Sequence, residues 1–290
     1  MSSIAPMTRS SHRMVNYPAA GGLVLRGEAW GTQNAPPVLL LHDCGQTRHM
    51  WRNIAHTLAE LGSYAVTIDL RGHGDSNWAL NGDYSLNTFV ADIQGVATSF
   101  SQQPALVGIG LGGIIALLAE GEMLSPISSA VVLAGLTPHL EAEEAEWFVP
   151  LIQAHLEEFM SLVGIKKADF RYWPTQPYPQ DFSTFVKDHS EALAGWHRWQ
   201  QDPQLFCALR RERAWNRERL LAAVRALQVP TLLFRDSLID PASQDPLGEL
   251  VAAIPHAQYA DLSVAEQLRD GDDAGTLSRA IAGFLYGDVD

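Results

Sequence analysis

Two turns hold the residues whose types could do chemistry. One is the run His-Asp-Cys at 42–44, which places an imidazole, a carboxyl group and a thiol side by side. The other is a glycine cluster that includes Gly108, Gly110 and Gly113. Glycines at this spacing allow two interpretations. They could form a loop that binds a dinucleotide pyrophosphate, or a strand-to-helix elbow of the G-x-S-x-G kind with Gly110 in the serine's place.

A dinucleotide site requires an acidic residue about 20 residues further on, at the end of the next strand, to bind the ribose. The next apolar run, at 130–135, ends without one. At least two strand–helix units also precede the glycine cluster, whereas the dinucleotide loop normally lies in the first unit. We therefore favour the elbow and predict no cofactor.

Short apolar runs alternate with helical patterns along the chain, and these elements must position both turns. The runs span 37–42, 65–70, 105–108, 130–135, 231–235 and 257–262, and helical stretches span 51–62, 86–100 and 114–122. Continuous apolar strands separated by helices predict an α/β fold with a doubly wound, mostly parallel sheet. Catalytic groups in such a sheet collect at the carboxyl ends of strands, which is where both turns lie.

The alternation stops between about residues 137 and 224. We predict that 1–136 and 225–290 form the core, and that 137–224 is a helical cap inserted after the strand near residue 135. Five of the eight tryptophans lie in this stretch, and four of them are expected to line the site: Trp147, Trp173, Trp196 and Trp199. The alternative is that two or three of them fill the cap's own core.

Five segments match characteristic segments of one enzyme family: LLLH at 39–42, DLRGHGDS at 69–76, DYSL at 83–86, VPTLL at 229–233 and IAGFL at 281–285. In these segments the chain resembles the serine α/β-hydrolases, a family of esterases, haloperoxidase-like enzymes and lactonases. The resemblance covers nearly the whole chain and implies the α/β-hydrolase fold. It also implies positions for a serine nucleophile, an acid and a histidine base.

The catalytic positions depart from the family pattern. Gly110 stands at the serine's position and Gln267 at the histidine's, while Asp240 matches the acid. Glycine has no side chain to acylate and glutamine has no titratable group, so the ordinary covalent mechanism is absent. We expect a ligand to bind at the former triad and oxyanion positions: Gly110, Leu111, Gln267, Cys44 and His42.

Asp43 and Cys44 stand where the resemblance implies glycines of an oxyanion loop. A carboxylate there would repel an oxyanion, which disfavours acyl transfer. In an apolar, capped pocket its pKa would be raised, and it could act as an acid or a base. Equally, Asp43 could turn away to cap the following helix or to pair with Arg48. For Cys44 we favour a small buried thiol over a nucleophile, because no activating histidine is evident.

Composition and charge exclude several other classes of protein. The chain has 33 Asp and Glu against 20 Lys and Arg, and a net charge of −13 disfavours nucleic acid and anionic membranes as partners. Two cysteines exclude a disulfide scaffold, and no spacing of His, Asp or Glu indicates a metal site. The longest apolar run, at 105–119, is too short to span a bilayer. We predict a cytoplasmic protein, and the sequence allows a homodimer.

Three hypotheses about function remain. The favoured one is a cofactor-free, non-hydrolytic enzyme that binds an apolar small molecule under the aromatic cap. It would promote a cyclisation, pericyclic step, elimination or isomerisation, as in natural-product biosynthesis, with Asp43 or Asp240 as acid or base. The second hypothesis is a ligand-binding pseudoenzyme without turnover. The third is a weak hydrolase in which a carboxylate activates water directly.

Overall fold

The computed structural model describes residues 12–135, 202, 205, 217–235, 254, 256–261 and 275–287. Within these residues the chain forms one eight-stranded sheet with helices on both faces. The strands are β1 (Arg13–Pro18), β2 (Val24–Trp30), β3 (Pro37–Leu41), β4 (Tyr64–Ile68), β5 (Ala105–Ile109), β6 (Ala130–Ala134), β7 (Thr231–Arg235) and β8 (Ala257–Asp261). The α-helices are α1 (Arg52–Glu60), α2 (Leu86–Thr98), α3 (Leu111–Gly121), α4 (Arg217–Ala226) and α5 (Thr276–Tyr286).

The order of the strands confirms the predicted fold class. It runs β1-β2-β4-β3-β5-β6-β7-β8, with parallel pairing from β4 through β3 to β8 and antiparallel β1–β2 and β2–β4 pairs. The chain continues from β3 to β4, which lies on one side of β3, and then to β5, which lies on the other side of β3. The carboxyl ends of β3 and β5 therefore meet at a switch point, where open α/β sheets bind ligands. The turns at 42–44 and 110–111 both lie there.

Both faces of the sheet are buried, as the continuous apolar runs predicted. In β3, Leu39 and Leu41 pack into one apolar cluster, and Val38 and Leu40 pack into the other. Helices α2, α3 and α4 contribute to the first cluster, and α1 and α5 contribute to the second. Each fully buried aliphatic side chain stabilises the fold by about 1.5 to 3 kcal/mol. This burial holds the carboxyl ends of the central strands in fixed positions.

Two strands and several boundaries differ from the sequence prediction. The prediction omitted β1 and β2 because neither is continuously apolar. β1 alternates between exposed and half-buried residues, and β2 contains Arg26, Gly27 and Glu28. Both are antiparallel strands at one side of the sheet, where such patterns are usual. Helix α3 begins at Leu111 rather than at 114, since the turn at Gly110 leads directly into it.

The predicted cap lies almost wholly outside the described residues, so its division from the core stays a prediction. The described parts of that stretch contact the core. Asp202 N–H donates to the carbonyl oxygen of Gly72 at 2.7 Å, and Tyr84 Oη donates to the Asp202 carboxylate. In α4, Arg219 pairs with Glu122, with N–O distances of 2.5 and 2.9 Å. This ion pair joins α4 to the residue that directly follows α3.

Gly108 lets β5 and α3 approach closely. A Cβ at this position would overlap the carbonyl oxygen of Gly112 and lie 2.6 Å from Gly113 N, and neither backbone atom can move without shifting α3. We expect Gly108→Ala to lower the free energy of unfolding by about 1 to 3 kcal/mol. Gly95→Ala in α2 is the control, because nothing lies within 4 Å of its Cβ and alanine favours a helix interior by about 0.5 to 1 kcal/mol. Denaturant unfolding checks both, and equal effects would contradict this packing.

Candidate functional site

Asp43 and Gly110 meet at the switch point between β3 and β5. A Cβ built on Gly110 would overlap Oδ1 and Cγ of Asp43 and lie 2.6 Å from its Oδ2. The Asp43 carboxyl group therefore fills the space where a side chain at position 110 would begin. The structure thus brings together two residues that the sequence singled out separately.

Gly110 makes the sharp turn from β5 into α3. Its backbone has φ +52° and ψ −118°, a conformation that residues with a side chain rarely adopt. Its N–H donates to the carbonyl oxygen of Ala134 at 3.0 Å, and its own carbonyl oxygen accepts from Ile114 N–H at 3.0 Å. A turn of this kind presents residue 110 above the end of the sheet. Because the residue is glycine, the turn offers no nucleophile of its own.

Two backbone N–H groups converge on one oxygen of Asp43. Oδ1 accepts from Cys44 N–H at 2.7 Å and from Leu111 N–H at 2.8 Å. Leu111 is the first residue of α3, where backbone N–H groups lack partners within the helix and favour negative charge. Gly110 cannot cap this end, so Asp43 caps it from the neighbouring loop. Paired N–H groups of this kind also stabilise an oxyanion, and here a carboxylate of the chain itself occupies them.

The structure corrects one alternative for Asp43 and changes the other. Asp43 does not pair with Arg48, whose buried guanidinium instead contacts Glu28, Asp69 and Asp75. Arg48 N–H also donates to Asp69 Oδ1 at 2.7 Å, which holds the side chain toward the end of β4. Nor does Asp43 cap the helix that follows it in sequence. It caps α3, which is distant in sequence but adjacent at the switch point.

His42 fixes the direction of the peptide between Asp43 and Cys44. Leu70 N–H donates to His42 Nε2 at 3.0 Å, so the ring proton is on Nδ1, which donates to the Asp43 carbonyl oxygen at 2.7 Å. The C=O and N–H of a trans peptide point in opposite directions, so this bond directs Cys44 N–H toward Asp43 Oδ1. Burial lowers the pKa of His42 to about 4, which keeps the ring neutral near pH 7. His42 positions the loop.

His73 supports this arrangement from the turn after β4. Its ring packs edge-on against the ring of His42, with centroids 4.8 Å apart, and its Nδ1 donates to the carbonyl oxygen of Arg71 at 3.0 Å. Burial, and then the neighbouring His42, lower the pKa of His73 to about 3. Both histidines are fully buried and neutral near pH 7, so neither supplies a positive charge to the site.

Asp43 is the described group best suited to accept a proton. Burial raises its pKa above the ordinary value of 3.8, and the N–H bonds from Leu111 and Cys44 oppose that rise. Oδ1 is held by those two bonds. Oδ2 has no hydrogen bond within the described part of the chain, and Asp43 is only partly buried. Among the described residues, Oδ2 is thus the oxygen of Asp43 that is left to accept a proton.

Cys44 is a poor nucleophile in this setting. Burial, and then the charge of Asp43, raise the pKa of its thiol to about 12. The thiol stays protonated near pH 7, and the thiolate is the reactive form. The side chain packs against the apolar cluster that contains Leu39 and Leu41. This geometry supports the interpretation of Cys44 as a packed thiol.

The remaining predicted site residues lie outside the described residues: Asp240, Gln267, Trp147, Trp173, Trp196 and Trp199. Their part in the site stays a prediction. Among the residues that are described, no group of His, Cys, Asp and Glu could hold a metal ion. In the same part of the chain, no helix is long and apolar enough to cross a membrane.

Sequence reasoning did not foresee that Asp43 accepts hydrogen bonds from the N–H groups of Cys44 and Leu111. The substitutions pointed to it separately, an aspartate in place of a glycine at 43 and a glycine in place of a serine at 110. The glycine at 110 leaves space beside the turn, and the carboxyl group of Asp43 fills that space. Leu111, predicted as a binding position, contributes its backbone N–H to this contact. The backbone of Leu70, which sets the tautomer of His42, was missed.

The sequence profile of the alpha/beta hydrolase family matches residues 38–278. The chain belongs to this family. Solved structures of similar fold include a haloalkane dehalogenase DbeA loop variant from Bradyrhizobium elkanii (TM-score 0.64, 19% identity, covering 96% of this chain and 98% of that one). Another is the thioesterase domain from the curacin biosynthetic pathway (TM-score 0.63, 20% identity, covering 94% of this chain and 99% of that one). These similarities confirm the fold.

Curated relatives with similar sequences are hydrolases by name. An esterase from Mycobacterium tuberculosis is 32% identical over 118 residues, which are 40% of this chain and 38% of that protein. A serine hydrolase-like protein from Mus musculus is 22% identical over 222 residues, covering 72% of this chain and 71% of that protein. The match to the esterase therefore spans less than two-fifths of its length.

These relatives overturn the favoured functional hypothesis. The prediction of a non-hydrolytic cyclase, lyase or isomerase is wrong, because the relatives in sequence are hydrolases by name, an esterase and an epoxide hydrolase among them. The reasoning failed at one step. The absence of a serine and a histidine was interpreted as the absence of hydrolysis, although the Asp43 carboxyl group occupies the space of a side chain at position 110. The findings favour the third hypothesis, a hydrolase that uses a carboxylate.

Proposed function

We propose that this protein is a hydrolase in which the Asp43 carboxylate activates a water molecule for attack on an uncharged carboxylic ester. One observation carries the proposal. The Asp43 carboxyl group fills the space where a side chain at position 110 would begin, so a proton acceptor stands where the family places its nucleophile. The similarity to an esterase supports the choice of ester.

The chemistry follows from the two oxygens of Asp43. Oδ2 takes a proton from water as the water oxygen attacks the ester carbonyl carbon. The C–O bond to the alcohol then breaks, and the leaving oxygen takes the proton back from Oδ2. The products are a carboxylic acid and an alcohol. Burial raises the pKa of Asp43, which makes it a stronger base than an exposed aspartate.

The local charge is conserved through the first step. Before attack, the negative charge is on Asp43, where N–H groups of Cys44 and Leu111 stabilise it. As the proton reaches Oδ2, Asp43 becomes neutral and the charge moves to the tetrahedral intermediate. Because the charge moves only from Asp43 to the ester beside it, the N–H dipoles of Cys44 and Leu111 need little reorganisation. This removes the repulsion that the sequence predicted for an anionic carboxylate beside an oxyanion.

Two properties support a slow reaction. The site has no serine at position 110 to form an acyl intermediate, so the proposed reaction proceeds by direct attack of water. Gln267, at the histidine's position in sequence, cannot relay a proton. We therefore expect turnover well below that of an enzyme with a complete triad. The aromatic cap, the apolar character of the substrate and the cytoplasmic location stay predictions from the sequence.

The test is an assay of the purified chain against a panel of neutral carboxylic esters, with alkyl epoxides and haloalkanes as alternative substrates. We expect release of acid and alcohol from at least one ester. Cys44→Ala is a matched control at the adjacent residue, and it should retain turnover because the thiol is protonated. Absence of hydrolysis across the panel, or its loss in Cys44→Ala with a folded protein, would overturn the proposal.

Hydrolysis should become faster as pH rises through the titration of Asp43. The base must be the carboxylate, so the protonated form at lower pH is inactive. Burial raises the pKa of Asp43, so the midpoint should lie above the ordinary value of 3.8. The check is kcat between about pH 4 and pH 9. Because the pKa of Cys44 is about 12, the thiol does not ionise in that range. A rate that declines with rising pH would contradict the role of Asp43 as base.

A further inference from the structure

We propose that the site selects its ligands by charge: it takes substrates that are uncharged around the scissile bond, excludes small carboxylates, and binds small ammonium ions as inhibitors at Asp43. This inference rests on the proposed function only where it treats uncharged ligands as substrates. Its physical basis is the charge arrangement at the switch point, which holds whether or not turnover occurs.

Within the described residues, the backbone N–H groups that could bind an anion at the switch point already have a partner. The two N–H groups that converge at the switch point both donate to Asp43 Oδ1, at 2.7 and 2.8 Å. The positive end of the α3 dipole faces the same carboxylate, because Leu111 begins that helix. A second carboxylate would meet the charge of Asp43 without a free donor from this pair. Like charges brought together in a partly buried site repel strongly.

The two arginines that are buried among the described residues, Arg48 and Arg71, are engaged with other acids. The buried guanidinium of Arg48 contacts Glu28, Asp69 and Asp75. The buried Arg71 binds Asp92 through two nitrogens, at 2.6 and 2.7 Å. Within the described residues, neither guanidinium group bonds to Asp43, and both are held by carboxylates that balance their charge. A ligand's negative charge would gain nothing from them.

The histidines at the site do not change this balance. His42 and His73 are fully buried, and each donates its Nδ1 proton to a backbone carbonyl oxygen. Burial keeps both rings neutral near pH 7. Within the described residues, the charge that a ligand meets at this point is therefore the single negative charge of Asp43.

Asp43 Oδ2 is the atom that a cation would meet. It accepts no hydrogen bond within the described residues, and it lies 2.6 Å from where a Cβ of residue 110 would stand. Because residue 110 has no side chain that could cover Oδ2, we infer that an ammonium N–H group can donate to this oxygen. A charge-assisted hydrogen bond there is about twice as strong as a neutral one. Such a ligand would block the oxygen that accepts the proton from water.

The experiment compares three ligands of similar size and different charge: benzylamine, benzyl alcohol and benzoate. Their binding is measured directly by calorimetry near pH 7.5, so that the result does not depend on turnover. We expect benzylamine to bind at least about 10-fold more tightly than benzoate, with benzyl alcohol between them. Equal binding of benzylamine and benzoate, or no detectable binding of benzylamine, would overturn the inference.

Two variants locate the effect at Asp43 rather than in the net charge of −13. Asp43→Asn should abolish the preference for benzylamine. Glu60→Gln removes the same charge at the end of α1, from an exposed carboxylate that pairs with His56, and should leave the preference intact. A preference that persists in Asp43→Asn, or that disappears in Glu60→Gln, would overturn the inference.

The inference and the proposed function can fail separately. If neutral esters are hydrolysed but benzylamine and benzoate bind equally, selection by charge is wrong and the hydrolase stands. If benzylamine binds preferentially but no ester is hydrolysed, the proposed function is wrong and selection by charge stands. Where both hold, benzylamine should also inhibit hydrolysis competitively.

Discussion

Asp43→Asn is expected to lower kcat for ester hydrolysis by about 10²- to 10⁴-fold, the usual contribution of a positioned general base. Asparagine keeps an Oδ1 that can accept from the N–H groups of Cys44 and Leu111, so the loop and the end of α3 retain their contacts. It loses the basic oxygen that takes the proton from water. KM should change little, because the variant alters the transition state more than ground-state binding. Steady-state kinetics on the best ester of the panel measure both constants.

The same variant should show a characteristic change in stability with pH. Burial raises the pKa of Asp43 in the folded protein above its ordinary value of 3.8, so the folded state binds more protons than the unfolded state between those two values. The free energy of unfolding of the wild type should therefore fall relative to Asp43→Asn as pH rises through this window, and the difference should then stay constant. Denaturant unfolding at several pH values checks this. A difference that changes in the opposite direction would mean that the folded state favours the carboxylate.

Gly110→Ser is expected to destabilise the protein by about 2 to 4 kcal/mol without creating a serine esterase. A side chain at φ +52° is strained, and its Cβ would overlap the carboxyl group of Asp43. To relieve the overlap, Asp43 must leave the N–H groups of Cys44 and Leu111. Denaturant unfolding measures the loss. An unchanged stability would contradict the overlap between the two residues.

A double-mutant cycle separates the overlap from the backbone strain. Adding Asp43→Gly to Gly110→Ser removes the overlapping carboxyl group, so the double variant should be at least about 1 kcal/mol more stable than the two single effects predict. Gly108→Ala is the matched control, because its Cβ overlaps the backbone of Gly112, which Asp43→Gly leaves in place. That pair should be additive. Additivity of both pairs would show that Asp43 and Gly110 do not share a space.

The sequence was informative about the fold because the central strands are buried on both faces. Val38 to Leu41 are all apolar, and a run of this kind leaves few alternatives to a parallel strand. β2 was missed for the opposite physical reason. It carries Glu28, whose charge is compensated by Arg48 and Arg52 from a later part of the chain. No local pattern indicates that such a residue belongs to a strand.

The site was only partly predictable for a similar reason. The aspartate at 43 and the glycine at 110 were visible as departures from the family pattern. The orientation of Asp43 depends on the approach of β3 and β5, which brings Leu111 N–H within 2.8 Å of a residue 68 positions earlier. Proximity in sequence instead suggested Arg48, whose partners are also long-range. The type of reaction could not be predicted from the motif. A motif without its serine looks the same whether the nucleophile has been lost or another residue has taken over its role.

Oxygen labelling tests the central claim most directly. One turnover of a hydrolysed ester in H₂¹⁸O should place ¹⁸O in the carboxylic acid product and none in the protein, because water activated by Asp43 attacks the substrate itself. The same reaction should be undetectable above background with Asp43→Asn. Mass spectrometry of the product and of the peptide that contains Asp43 measures both. Label in the Asp43 carboxyl group would show that Asp43 attacks the substrate as a nucleophile. Labelled acid formed equally fast by Asp43→Asn would show that another group activates the water.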